Sequence, residues 1–261
     1  MTIWHAIVLG MVQGFTEFIP VSSSGHLIIF QYILGIQENP LAFDLLVDVG
    51  TLAALFIALR HDIVSIIKKP FSKITCLIIV GCIPAGLIGY YLQPLLDQAW
   101  DSLLMVGIGL IVTGVILKFS DIVAHNGLNM KDEFDTTYGN ALFIGLMQCI
   151  AIIPGISRSG FAIVAGLVAG LDRNFAARYS FLLSIPVILG AALVQIKDAS
   201  SLALTGSVLP YAAGLLTAAV TGFVAIKIII KVVSEGRISI FSYYCWLVGT
   251  LAIAAQLYFK F

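Results

Sequence analysis

Apolar sequence dominates the chain in ten stretches, 3–18, 27–36, 41–59, 74–92, 103–119, 141–153, 161–171, 179–195, 208–230 and 240–259. Most of them approach the length of a bilayer crossing, which takes about 20 residues of helix. Four do not: 3–18, 27–36, 141–153 and 161–171 are too short or too interrupted to span alone. They pair across 20–25 and 154–160, where Pro, Gly and Ser gather. Each pair predicts a re-entrant hairpin, because non-helical backbone at membrane depth survives only inside protein or beside a water-filled cavity. The pattern as a whole predicts an all-α polytopic membrane protein.

The two breaks are related. Gly10, Gln13, Ser22, Ser24 and Gly25 recur at one constant interval as Gly145, Gln148, Ser157, Ser159 and Gly160. This predicts an inverted repeat, each half a re-entrant helical hairpin plus about three transmembrane helices. Three spans per half is an odd number, so the second copy lies upside down relative to the first. The chain then reads as a single integral-membrane domain, with repeat one at about 1–117, a connector at about 118–140 and repeat two at about 141–261. Arg60, Lys68, Lys69 and Lys73 mark one loop and Lys227, Lys231 and Arg237 another, whereas 93–101 holds Asp97 and Asp101 without Lys or Arg. The positive-inside rule places the basic loops and the connector in the cytoplasm and both termini outward.

Composition agrees with a membrane protein. Hydrophobic residues make up 60% and charged residues 11%, where soluble domains carry about 25% charged. Mean hydropathy is +1.05. Net charge is zero, which offers no electrostatic footprint for nucleic acid. The four cysteines, Cys76, Cys82, Cys149 and Cys245, stand singly in apolar sequence without metal-ligand spacing and read as small packing residues. No basic segment precedes the first apolar stretch, so no cleaved signal peptide is expected.

The chemistry concentrates at the breaks. Gln13 and Glu17, four apart, share a helix face, and a carboxylate in a membrane segment usually faces a cavity or a partner. Ser22, Ser23 and Ser24 exceed what one helix cap requires, and hydroxyls with free N–H groups at a helix start form an anion site. Ser157, Arg158, Ser159 and Gly160 repeat the arrangement and add a guanidinium, which matches phosphate oxygens with two parallel donors. His26 follows the serine run and reads as nucleophile or base. Together these groups suit a phosphate or pyrophosphate. His5, His61 and His125 read as surface residues. Asp44 and Asp48, four apart, either line the site or sit at the interface, and Arg178 reads as a side chain snorkelling to headgroups. Ser207 is expected to lie outside the site.

The first cluster, Gln13-Gly14-x-Thr16-Glu17-Phe18-x-Pro20-Val21-Ser22-Ser23-Ser24-Gly25-His26, resembles the first signature of bacterial undecaprenyl pyrophosphate phosphatases, the bacitracin-resistance family. Pro154-Gly155-x-Ser157-Arg158-Ser159-Gly160 resembles the second, and 179–186 is similar to the helix that follows it. The resemblance covers essentially the whole chain. It implies a multi-pass inner-membrane hydrolase that converts undecaprenyl pyrophosphate to undecaprenyl phosphate and inorganic phosphate, recycling the carrier for peptidoglycan synthesis. Catalysis would fall to His26, Ser23, Glu17 and Arg158, and phosphate binding to Ser22, Ser24, Ser157, Arg158, Ser159 and Gly160. Glu17 would orient His26 or, with Gln13, help hold a divalent cation, Mg2+ or Ca2+; no organic cofactor is implied. The partners implied are the polyprenyl pyrophosphate lipid and the bilayer, and a homo-oligomer is compatible with the sequence. The chain departs from the pattern at Gln13, glutamate in some members, at Ala162, commonly threonine, and at Asp48, often histidine or glutamine. The nucleophile stays open among Ser23, His26 and water. A flippase of the polyprenyl phosphate carrier is the alternative, since inverted repeats with broken helices are also a transporter layout.

Overall fold

The computed structural model describes residues 1–36, 41–96, 102–125, 130–197 and 208–259. The regular elements among them are helices, with one isolated bridge between Lys131 and Leu171. The first helix, α1 (Ile3–Phe18), ends where Ile19 turns extended at ψ 132° ahead of Pro20. Proline disfavours helical backbone at the residue before it, and the chain stops there for that reason. Helix α2 (Ser23–Ile33) restarts behind Ser22, whose hydroxyl accepts from Gly25 N–H. The second break repeats the device. A single 3₁₀ turn, Ile150–Ile152, follows α7 (Tyr138–Cys149); Ile153 is extended at ψ 128° ahead of Pro154, and α8 (Arg158–Val168) restarts behind the cap Ser157. Both short-helix pairs therefore form as the apolar pattern predicts.

The remaining helices are α3 (Leu41–Ala58), α4 (Arg60–Lys68), α5 (Lys73–Leu96), α6 (Leu103–His125), α9 (Arg173–Lys197), α10 (Val208–Ser234) and α11 (Ile240–Phe259), labelled in chain order. Leu103–Ile122, Arg173–Val194, Val208–Ser234 and Ile240–Tyr258 are long and apolar enough to cross a membrane. The α3–α4 pair, bent by 80°, makes a fifth candidate. The expected span 74–92 lies in α5, whose described apolar part, Lys73–Gly89, falls short of that length.

Three boundaries differ from the sequence reading. The basic segment after α3, expected as a loop, forms α4, because Ile63 buries itself at helical spacing from its polar neighbours. Helix α6 runs through His125, so the first part of the expected connector is helical. Residues 93–96 belong to α5; 97–101 and Ser207 lie outside the described residues. The connector is tied down at its far end. Lys131 N–H donates to Gly170 O, its carbonyl accepts from Asp172 N–H, and its ammonium reaches Ala169 O at the C-terminal end of α8. A cation there meets the negative end of the helix dipole.

Small residues let the helices approach. Helix α1 packs along α10, and a Cβ at Gly14 would stand 2.6 Å from Ala218 O and 2.8 Å from Gly222 N. A bilayer provides little hydrophobic drive between helices, so such close backbone contact supplies the attraction. At the inner end of α1, Phe18 meets Phe181 of α9 edge-on at 5.5 Å. Tyr179, also on α9, donates to Leu77 O of α5 at 2.7 Å. These fully buried rings anchor the first break against α9.

Candidate active site

The two breaks interlock. A Cβ at Gly25 would lie 3.2 Å from Gly155 Cα, and one at Gly160 would lie 3.2 Å from Pro20 Cβ. Each helix start thus presses on the other break through a glycine. Thr113 of α6 braces the second break: its hydroxyl donates to Gly155 O at 3.2 Å and accepts from Ser157 N–H at 3.0 Å. Ser22 holds φ +70°, a left-handed conformation that costs a non-glycine residue about 1–3 kcal/mol. Such strain persists only where the surroundings over-determine the backbone.

Interlocking brings the charged groups together. Glu17 ends α1 and Arg158 begins α8, and the guanidinium Nη2 donates to Glu17 Oε1. The other carboxylate oxygen, Oε2, accepts from Ser23 Oγ at 2.6 Å and from Gln13 Nε2 at 3.1 Å. Exposure of the two charged side chains is 20% for Arg158 and 8% for Glu17. The ion pair therefore lies inside the protein with the guanidinium side more open. Gln13 Nε2 also donates to Asp48 Oδ1 of α3 at 2.6 Å, which brings a second carboxylate to the cluster. One turn away, Asp44 accepts from Gln31 Nε2 of α2 at 3.0 Å.

His26 is oriented differently from the expectation. Its Nδ1 lies 2.8 Å from Ser22 O, an acceptor only, so Nδ1 carries the proton. Its Nε2 lies 2.8 Å from the Tyr244 hydroxyl of α11, which therefore donates to it. The two rings stack at 5.5 Å and 11°. Ser22 and Tyr244, rather than Glu17, set the imidazole, while Glu17 holds Ser23.

The serines divide by task. Ser22 and Ser157 are almost fully buried, and their hydroxyls cap Gly25 N–H at 3.3 Å and Gly160 N–H at 3.1 Å. Ser159, also buried, pairs with Ser157 at 3.3 Å, and the half-buried Ser24 pairs with Ser22 at 3.4 Å. The second-copy glutamine, Gln148, is not part of the cluster; its Nε2 donates to Gly81 O of α5 at 3.0 Å. Arg178 pairs with Asp62 at the α3–α4 bend rather than standing alone at the headgroups. A cavity of about 600 Å³ opens there, lined by Asp62, Asp132, Phe134 and Arg178, with none of the expected site residues in its wall.

Among the described residues, no three His, Cys, Asp or Glu groups stand close enough to hold a metal by themselves. Gln13 nevertheless has a buried carbonyl oxygen, Oε1, without a hydrogen-bond partner. Its amide nitrogen faces the Glu17 and Asp48 carboxylates, so a turn of the amide would make an all-oxygen donor set, which fits a hard divalent cation.

One residue of this arrangement, Tyr244, is not singled out from sequence. Tyr244 gives no local signal, because it meets His26 only through packing of the last helix against the first break. Asp48, a carboxylate in an apolar helix whose spacing leaves it either lining the site or at the interface, bonds to Gln13 and so lines the site.

Comparison with known proteins agrees with the geometry. The family model described as bacitracin resistance protein BacA matches residues 6–251. Undecaprenyl-diphosphatase of Carboxydothermus hydrogenoformans is 41% identical over 264 residues, with 100% of both chains covered. The enzyme of that name from Halothermothrix orenii is 44% identical over 256 residues, covering 97% of this chain and 98% of its own. That of Methanosphaera stadtmanae is 40% identical over 275 residues, covering 97% and 98%.

Proposed function

The chain belongs to the BacA bacitracin-resistance family, and from that premise we propose how its interlocked breaks hydrolyse undecaprenyl pyrophosphate to undecaprenyl phosphate and inorganic phosphate. The observation that carries the mechanism is Glu17 held between Ser23 on one oxygen and Arg158 on the other.

Ser23 is the nucleophile of this reading. Its O–H already points at Glu17 Oε2, so attack on the terminal phosphorus passes the proton to that carboxylate, a general-base contribution of about 10²–10⁴ in rate. The bond to the bridging oxygen breaks, and undecaprenyl phosphate leaves without needing a proton. Arg158 sits on the far side of the same carboxylate, where its guanidinium can turn from Glu17 to the phosphoryl oxygens. Phosphoryl transfer has a loose transition state with charge on those oxygens, so a fixed cation is the main aid a protein can give. The N–H groups opening α2 and α8 and the Ser24 hydroxyl add neutral donors. Ser22, Ser157, Ser159 and Gly160 act on phosphate indirectly in this scheme, by fixing the two helix starts. The water that frees Ser23 from the phosphoserine passes its proton to the Tyr244 hydroxyl, which hands its own to His26 Nε2, the nitrogen it already donates to. Glu17 and Gln13 would hold a divalent cation, Mg2+ or Ca2+, which when bound neutralises pyrophosphate charge.

The isoprenoid tail lies in the bilayer between helices, and the protein is a multi-span membrane protein. We place it in the bacterial inner membrane as an inverted repeat with both termini outward, on the strength of its loop charges and paired breaks. Recycling of the carrier makes the reaction part of peptidoglycan synthesis. The test is phosphate release from undecaprenyl pyrophosphate by detergent-purified protein, with undecaprenyl phosphate as the matching product. A protein that moves the lipid across vesicles without releasing phosphate would be a flippase, contrary to this reading.

A further inference from the structure

Formal charge presents a difficulty at the site. Glu17, Asp48 and Asp44 bring three carboxylates to one neighbourhood, and Arg158 pairs with Glu17 alone of the three. A pyrophosphate is itself a polyanion. It meets like charge there unless a cation intervenes, and like charges at close range in a poorly solvated site repel strongly.

Gln13 marks where that cation belongs. The side chain is 1% exposed, and its single NH₂ bridges Asp48 Oδ1 at 2.6 Å and Glu17 Oε2 at 3.1 Å. Spending both N–H donors on carboxylates leaves Oε1 buried and unpartnered. Buried polar atoms in folded proteins nearly always have a partner, and an orphan commonly signals a missing ion or water. An amide wedged between two carboxylates is what a site does when the positive charge that should join them is elsewhere. Rotating the amide would turn Oε1 toward those carboxylates, which is favourable only with a cation between them.

We propose that Asp48 is a ligand of a divalent cation shared with Glu17 and Gln13 Oε1, so that α3 supplies the second carboxylate of the site. The proposal rests on the pyrophosphatase reading, since substrate phosphate oxygens complete the coordination. Two carboxylates plus substrate phosphates is the usual way proteins bind Mg2+, which keeps several waters and seldom takes an all-protein cage. Among the described residues no three His, Cys, Asp or Glu groups, here or elsewhere, hold a metal by themselves, so the amide oxygen and the substrate are needed as ligands.

The experiment is Mn2+ binding to detergent-purified protein, read by the loss of free-Mn2+ EPR signal, with phosphate release measured on the same preparations. Binding is measured alone and with a methylene-bridged, non-hydrolysable prenyl pyrophosphate. Wild type is expected to bind Mn2+, more tightly with the analogue. Asp48→Asn should weaken binding at least tenfold. The exchange Gln13→Glu with Asp48→Asn moves the carboxylate across a 2.6 Å contact and should restore binding to within a few-fold of wild type. That restoration is not expected if Asp48 matters only for folding. Unchanged Mn2+ affinity in Asp48→Asn would overturn the proposal, as would a wild type that binds no Mn2+ even with the analogue. Either result in a protein that still releases phosphate leaves the hydrolase reading intact. Absence of phosphate release in a wild type that binds Mn2+ would instead count against the hydrolase.

Discussion

Replacing Arg158 separates the roles of the buried ion pair. Arg158→Ala removes the guanidinium that reaches Glu17 and, on this account, the transferred phosphoryl group. Arginines that stabilise phosphoryl-transfer transition states contribute about 10³–10⁵ in rate, or about 4–7 kcal/mol at 1.36 kcal/mol per tenfold. The cost to folding is smaller. Removing one partner of a buried pair costs about 3–5 kcal/mol when the remaining charge is left uncompensated. Glu17, 8% exposed, keeps donors from Ser23 at 2.6 Å and Gln13 at 3.1 Å. These two donors persist in the variant and keep Glu17 from being left bare, so the loss should fall at the low end, about 3 kcal/mol. In a chain of this size that lowers Tm by several degrees, about 2–4 °C per kcal/mol. The assay is steady-state phosphate release, with thermal unfolding in the same detergent. Turnover should fall by about 10³ or more while the variant remains folded and extractable. Arg158→Lys keeps the charge but not the planar fork, and should recover only part of the loss. Near-normal turnover in Arg158→Ala would refute the clamp, as would full activity in Arg158→Lys.

Glu17→Gln removes the acceptor of the Ser23 proton and should lower kcat by about 10²–10⁴; a kcat within a few-fold of wild type would exclude it as base. Tyr244→Phe keeps the ring stacked on His26 and deletes one hydrogen bond worth about 1 kcal/mol, so turnover should fall roughly fivefold. Unchanged turnover there would mean that the contact is incidental. Gly14→Ala tests the packing that positions α1, because its Cβ would stand 2.6 Å from Ala218 O. Overpacking of this kind costs about 1–3 kcal/mol, seen as a lower Tm, and an unaltered Tm would argue against the α1–α10 contact.

The breaks were legible because two local rules fix them: proline forces an extended residue before it, and a serine caps the helix that follows. Glu17 and Gln13 could likewise be placed on one helix face by spacing alone. Their meeting with Arg158 was legible only through the repeat, which suggested that two similar segments form one site. What the sequence hid depends on packing between distant helices. Tyr244 reaches His26 from α11, and no periodicity within 240–259 marks it out. Ser22 and Ser157 looked like phosphate ligands, and their hydroxyls instead hold Gly25 and Gly160 N–H, a choice decided by where each backbone restarts. Gln148 matches Gln13 in sequence yet bonds to Gly81 O, because the residue a turn later is Ile152 and not a carboxylate. Arg178 reads as a lone basic residue until the α3–α4 bend brings Asp62 to it.

The central claim is that Ser23, activated by Glu17, attacks the terminal phosphorus. Its most direct test is phosphate release from undecaprenyl pyrophosphate by purified wild type and Ser23→Ala, assayed side by side after both are shown to be folded. The account predicts steady release from wild type and a loss of at least about 10³ in the variant. A Ser23→Ala protein that releases phosphate at close to the wild-type rate would contradict it.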